Sequence, residues 1–98
     1  MAEECRTVLV RITGRVQGVW YRDWISKKAV ALGLDGWVRN RLDKSVEAQF
    51  TGRSDLIDDM IKKCGQGPVL ARVDDIIVSE LEAVDLDDQR GFEIRATS

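Results

Sequence analysis

The chain contains no histidine. No side chain therefore has an ordinary pKa near neutrality, and Ser-His and Cys-His nucleophilic schemes are excluded together with His-ligated metal sites. Cysteine is scarce. The two present, Cys5 and Cys64, lack metal-ligand spacing and read as reduced thiols rather than as a disulfide. With one proline, no low-complexity run and no repeat, nothing marks a linker, and residues 1–98 are expected to form a single domain. No apolar run approaches a membrane span, and Met1 to Arg6 is polar and acidic rather than signal-like, so a cytoplasmic protein without membrane association is expected. A net charge of −2 denies the surface any broad attraction for nucleic acid.

What is present is a foldable core. Hydrophobic residues make up 44% of the 98 positions and charged residues 33%, a balance typical of globular chains that bury roughly 60 to 70% of their unfolded surface. Residues Thr7 to Thr13 alternate, with Val8, Val10 and Ile12 on one face, which predicts a strand. Tyr21, Ile25, Ala29 and Leu32 recur at helical spacing, and Gly33-Leu34 is a Schellman-type stop, which predicts a helix over 21–32. Asp35 to Arg41 and Ser45 to Thr51 read as strands joined by a hairpin at Leu42-Asp43-Lys44. A second helix, capped by Ser54, buries Ile57, Met60, Ile61 and Cys64 and ends at Gly65.

After Gly67-Pro68 the chain enters a long strand whose alternation slips. Val69, Ala71 and Val73 share one parity and Ile76 and Val78 the other, which predicts a β-bulge near Asp74-Asp75. Asp85 to Arg90 is turn-like, and Phe92, Ile94 and Ala96 form a last strand with Glu93 and Arg95 outward. Strand, helix, strand, strand, helix, strand plus a final strand is a split βαβ repeat. It predicts an α+β, ferredoxin-like sandwich: one antiparallel sheet of four to five strands with two helices on one face.

Gly14 to Arg22 links the first strand to the first helix. It fits neither the Walker pattern nor the dinucleotide fingerprint. Its main-chain N–H groups from about Gln17 to Arg22 can form an anion nest at a helix N-terminus, with the Arg22 guanidinium gripping two phosphoryl oxygens. The same spacing fits a plain connecting turn with an exposed arginine. Asn40, just before the hairpin, is by itself more often a turn former than a catalytic amide. Arg11, Arg15, Arg39 and Arg41 read as solvated charges, and Trp20, Trp24 and Trp37 as core or rim packing.

Taken together, G-R-V-Q-G-V-W-Y-R at 14–22, G-W-V-R-N at 36–40, S-V-E at 45–47, Gly52, G-P at 67–68 and G-F-E-I at 91–94 resemble the acylphosphatase family over almost the whole chain. The resemblance implies hydrolysis of the carboxyl-phosphate bond of acyl phosphates, with no cofactor and no metal ligand. It implies Arg22 and Asn40 as the catalytic pair, Asn40 orienting the attacking water. It implies a phosphate-binding stretch of Arg15, Val16, Gln17, Gly18, Val19, Trp20, Tyr21 and Arg22. The expected partners are a small acyl phosphate and phosphate or sulfate anions, with no nucleic acid, and the expected state is a monomer. Two positions depart from the family pattern: Lys44, where glycine commonly follows Asp43, and Tyr21, where phenylalanine is usual. An RNA-binding module on this fold would need sheet aromatics and a basic surface. A phosphate-binding module without hydrolysis, or a piece of a larger carbamoyl-phosphate-using enzyme, is the other rival.

Overall fold

The computed structural model describes residues 4–81 and 91–98. The turn expected over Asp85 to Arg90 lies outside the described residues. The order is β1 (Cys5–Arg15), α1 (Tyr21–Ala31), β2 (Asp35–Asn40), β3 (Val46–Arg53), α2 (Ser54–Gln66), β4 (Arg72–Leu81) and β5 (Phe92–Arg95). The strands form a five-stranded sheet in the order β4-β1-β3-β2-β5, and with the two helices this is the expected α+β, ferredoxin-like arrangement.

One pairing differs from the fully antiparallel sheet expected: β5 runs parallel to β2, making the sheet mixed. The cause is topological. The end of β4, Leu81, pairs with Thr7, which stands in register with Thr51 and, through it, with Asp35 at the start of β2. A strand that starts from that end of the sheet at its far edge runs in the direction of β2.

Register turns the alternation into a core. Val8, Phe50 and Gly36 form one row, Val10, Ala48 and Val38 the next, and Ile12, Val46 and Asn40 the third. The apolar members of these rows are fully buried beneath Tyr21, Ile25 and Ala29 of α1 and Ile57, Met60 and Cys64 of α2. Burial of this kind is worth roughly 1.5 to 3 kcal/mol for each large side chain. On the opposite face Thr7 and Thr51 are also buried and share a hydrogen bond of 3.0 Å between their hydroxyls.

The predicted bulge is found. Thr13 pairs with Asp75 and Gly14 with Val73, so Asp74 is the extra residue, and the shift of parity lets Val73 and Ile76 both pack against the core. Gly14 is obligatory there: at φ 127, an added Cβ would stand 2.2 Å from the Arg72 carbonyl oxygen. The α1 stop is the expected Schellman turn, with the Leu34 amide donating to the Ala29 oxygen at 2.9 Å and the Gly33 amide to the Val30 oxygen at 3.0 Å.

Three local expectations are corrected. Ser54 is the first residue inside α2 rather than its cap, because Arg53 holds the extended N-cap conformation, and the Ser54 hydroxyl instead accepts from Arg6 at 3.3 Å. The helix runs past Gly65 to Gln66 and stops where Gly67 turns to φ 65. The last long strand begins at Arg72 rather than Val69, and Val69 is 99% exposed.

Candidate active site

The site is built at one end of the sheet, where β1 hands over to α1 and β2 hands over to the hairpin. Gly18, at φ 73, and Trp20, at φ 64, bend the loop after β1, and Trp20 is the N-cap of α1 in a left-handed conformation. That conformation costs a non-glycine residue about 1 kcal/mol or more. Its effect is visible in the hydrogen bonds. The first helical amide bond is Trp24 N to Trp20 O at 3.0 Å, and the amides from Gln17 to Asp23 meet no acceptor among the described residues. A continuous run of unpaired N–H groups at the positive end of a helix is an anion cradle.

The cradle is clamped from behind by a side chain for which the sequence predicts only a main-chain role. Gln17 donates through Nε2 to the carbonyl oxygens of Arg41 and Ser45, both at 2.8 Å, tying the loop to the β2–β3 hairpin. The hairpin is closed by Lys44 N to Arg41 O at 3.1 Å and Arg41 N to Ser45 O at 2.8 Å. Lys44 carries the φ of 76 that this three-residue connection requires. Asp43 anchors the turn, accepting from the Ser45 amide at 2.9 Å and hydroxyl at 2.6 Å, and those bonds hold its carboxyl below the usual carboxylate range. A spacing of two between an aspartate and a serine before a strand is the sequence signal for such a turn.

Arg22 and Asn40 face one cleft of about 360 Å³, whose floor and walls include Val16, Gly18 and Tyr21. Arg22 is half-buried, and its Nη1 donates to the Arg95 main-chain oxygen at 3.3 Å, so the final strand aims the guanidinium. Asn40 occupies the row of Ile12 and Val46, on the helix-facing side of the sheet where the neighbouring positions are apolar. Its Oδ1 is buried and has no hydrogen-bond partner among the described residues. An amide oxygen in that condition costs on the order of 1 to 3 kcal/mol. Its main chain is held in place by Ser98 N donating to Asn40 O at 3.1 Å.

The remaining expected residues are distributed as follows. Val16, Val19 and Tyr21 turn their side chains into the core, so only their main chains are available to the site. The Tyr21 hydroxyl donates to the Cys64 carbonyl oxygen at 2.6 Å, and burial pushes its pKa well above the ordinary phenolic range. Arg15 is exposed and borders the outer side of the loop with Lys44. Arg39 is not a free charge: it pairs with Glu47 at 2.7 Å, and it and Arg95 lie over the Trp37 ring at 5.0 and 4.8 Å. Arg41 also reaches Glu47, at 3.4 Å, and Arg11 pairs with Asp43. Of the core or rim packing expected of Trp20, the core alternative is overturned, since it is 78% exposed and borders the cleft. The left-handed cap directs the following turn inward and leaves the indole outside.

Comparison with known proteins agrees with this fold. The family model described as Acylphosphatase matches residues 8–94. An acylphosphatase of Rhodospirillum rubrum is 52% identical over 87 residues, which is 89% of this chain and 92% of that protein. Among solved structures, the acylphosphatase from Bacillus subtilis superposes with a TM-score of 0.86 at 29% identity, covering 92% of this chain and 98% of that one. The acylphosphatase from Coxiella burnetii superposes with a TM-score of 0.85 at 32% identity, covering 93% of each chain.

Proposed function

This chain belongs to the acylphosphatase family and is an acylphosphatase enzyme, and from that premise we infer that it hydrolyses acyl phosphates by in-line attack of water with no covalent intermediate. The observation that carries this reading is the unpartnered, buried Oδ1 of Asn40 on the same cleft as Arg22. An acceptor of that kind accepts a hydrogen bond from a bound water and fixes the direction of the water's lone pair.

The division of labour follows from the donors. The amides from Gln17 to Asp23 and the Arg22 guanidinium surround the phosphoryl oxygens, and the positive charge they supply is the dominant requirement of phosphoryl transfer. Water held by Asn40 forms a bond to phosphorus as the bond between phosphorus and the acyl oxygen breaks. The acyl oxygen departs with the electron pair as a carboxylate. Its conjugate acid has a pKa of about 4, so no enzymic acid has to protonate it at neutral pH. The water's proton passes to a phosphoryl oxygen, giving a carboxylate and inorganic phosphate. A site without histidine is thus sufficient for this reaction, because its leaving group needs no proton.

The small substrate, the absence of a nucleic-acid partner, the monomeric state and the cytoplasmic location are part of the same proposal. Among the described residues, no helix is long and apolar enough to cross a membrane. The test is release of phosphate from acetyl phosphate by the purified protein in buffer containing a chelator. Turnover that survives the chelator is expected. Binding of phosphate without turnover would replace this reading with that of a phosphate-binding module.

A further inference from the structure

Two large apolar side chains are exposed on the same cleft as the reacting groups. Trp20 is 78% exposed and Ile94 47% exposed, and both line the cavity that contains Arg22 and Asn40. They reach it from different elements. Trp20 is the left-handed cap of α1. Ile94 sits opposite Val38 in the parallel β2–β5 pair, on the helix-facing side of the sheet at its open edge. Neither side chain has a polar group that the phosphoryl centre needs: the indole N–H is not part of the amide cradle, and Ile94 has no donor at all.

An exposed indole held in a strained backbone conformation, and an exposed isoleucine lining the same cleft, are unexplained by core packing. Keeping both in water leaves apolar surface uncovered, which is unfavourable. The carboxylate that borders the same cleft, Asp23, is taken by Lys27 of its own helix at 3.1 Å. No cation other than Arg22 lines the cavity among the described residues. The outer half therefore offers apolar contact without a counter-charge for an acidic substituent.

Building on the hydrolysis reading above, we propose that Trp20 and Ile94 form the acyl subsite and select acyl phosphates with an aromatic or bulky apolar acyl group. The phosphoryl end is held by the amides and Arg22. The acyl carbonyl then points out of the cradle, and the substituent lies between the indole and the isoleucine. Apolar contacts of this size discriminate by about tenfold to a hundredfold, and an aromatic ring gains further from stacking on the indole.

The experiment compares benzoyl phosphate with acetyl phosphate in wild type, Trp20→Ala, Trp20→Phe and Ile94→Ala, reading the ratio of kcat/KM values so that acetyl phosphate is the internal reference. Wild type is expected to favour benzoyl phosphate by about tenfold or more. Trp20→Ala and Ile94→Ala should each lower that ratio several-fold, Trp20→Phe should restore most of it, and phenylphosphonate should lose more inhibitory strength than methylphosphonate in both alanine variants. A wild-type ratio near one, or a ratio unchanged in both alanine variants, overturns the acyl subsite. Failure of wild type to hydrolyse either substrate overturns the hydrolysis reading instead, so the two outcomes are distinguishable.

Discussion

Arg22 and Arg95, 73 positions apart in the chain, are joined by a hydrogen bond of 3.3 Å from the Nη1 of one to the main-chain oxygen of the other. The bond ties the Arg22 guanidinium to an edge strand, β5, that among the described residues pairs only with β2. The fork of Arg22 is thus aimed by its contact with β5 as well as by α1.

A lysine keeps the charge of Arg22 but not the planar fork, and cannot hold a phosphoryl group and the Arg95 oxygen together. Arg22→Lys is expected to lower kcat/KM for acetyl phosphate by about 10²-fold or more. Arg22→Ala should abolish both turnover and competitive inhibition by phosphate. Steady-state kinetics with a phosphate inhibition series provide the check.

In the proposed mechanism Asn40 holds water rather than phosphate. Asn40→Ala should lower kcat by about 10²-fold while the inhibition constant for phosphate stays within about twofold, since Arg22 and the amides are untouched. Full activity in this variant would remove Asn40 from the water-positioning role.

Lys44 holds φ 76 at the hairpin. Replacing it with glycine relieves that strain and raises unfolded-state entropy, leaving a net gain of about 0.5 to 1 kcal/mol. Thermal unfolding should show a midpoint a few degrees higher for Lys44→Gly.

Gly14 is the opposite case. Its φ of 127 and the 2.2 Å approach of the Arg72 oxygen leave no room for a Cβ. Gly14→Ala should destabilise the fold by about 2 to 4 kcal/mol and loosen the start of the loop proposed to bind phosphate. Urea unfolding measures the loss, and the apparent affinity for phosphate should fall with it.

Burial pushes the Cys64 thiol up to about 12 and Tyr21 above its ordinary range. Both groups stay neutral in the folded state while the unfolded chain ionises them first. The unfolded state then binds fewer protons, so stability falls as pH rises above about 9. In native protein, iodoacetamide at pH 8 should modify the exposed Cys5 and spare the buried Cys64. Mass spectrometry before and after denaturation distinguishes the two thiols.

The alternation of Val8, Val10 and Ile12, the Gly33 stop and the parity slip across Asp74 are local facts, because each depends on residues two to five apart. The sequence by itself therefore determined the strands, the helices and the bulge. It also marked Arg22, since a helix start fixes where the free amides are. Asn40 was partly legible: it shares the parity of Val38, and a polar residue on an apolar row is a signal, though a hairpin beside it supplies a competing explanation.

Only the tertiary structure decided what depends on distant pairs. Gln17 meets Arg41 and Ser45 because the first loop and the hairpin emerge at the same end of the sheet. The parallel placement of β5 brings Ile94 and the Arg95 oxygen to the cleft, and nothing local in Phe92–Arg95 encodes a direction. The exposed indole of Trp20 follows from a single left-handed residue. Side-chain pattern records which face of an element is buried; which elements meet at a site is settled by how the whole sheet closes over its core.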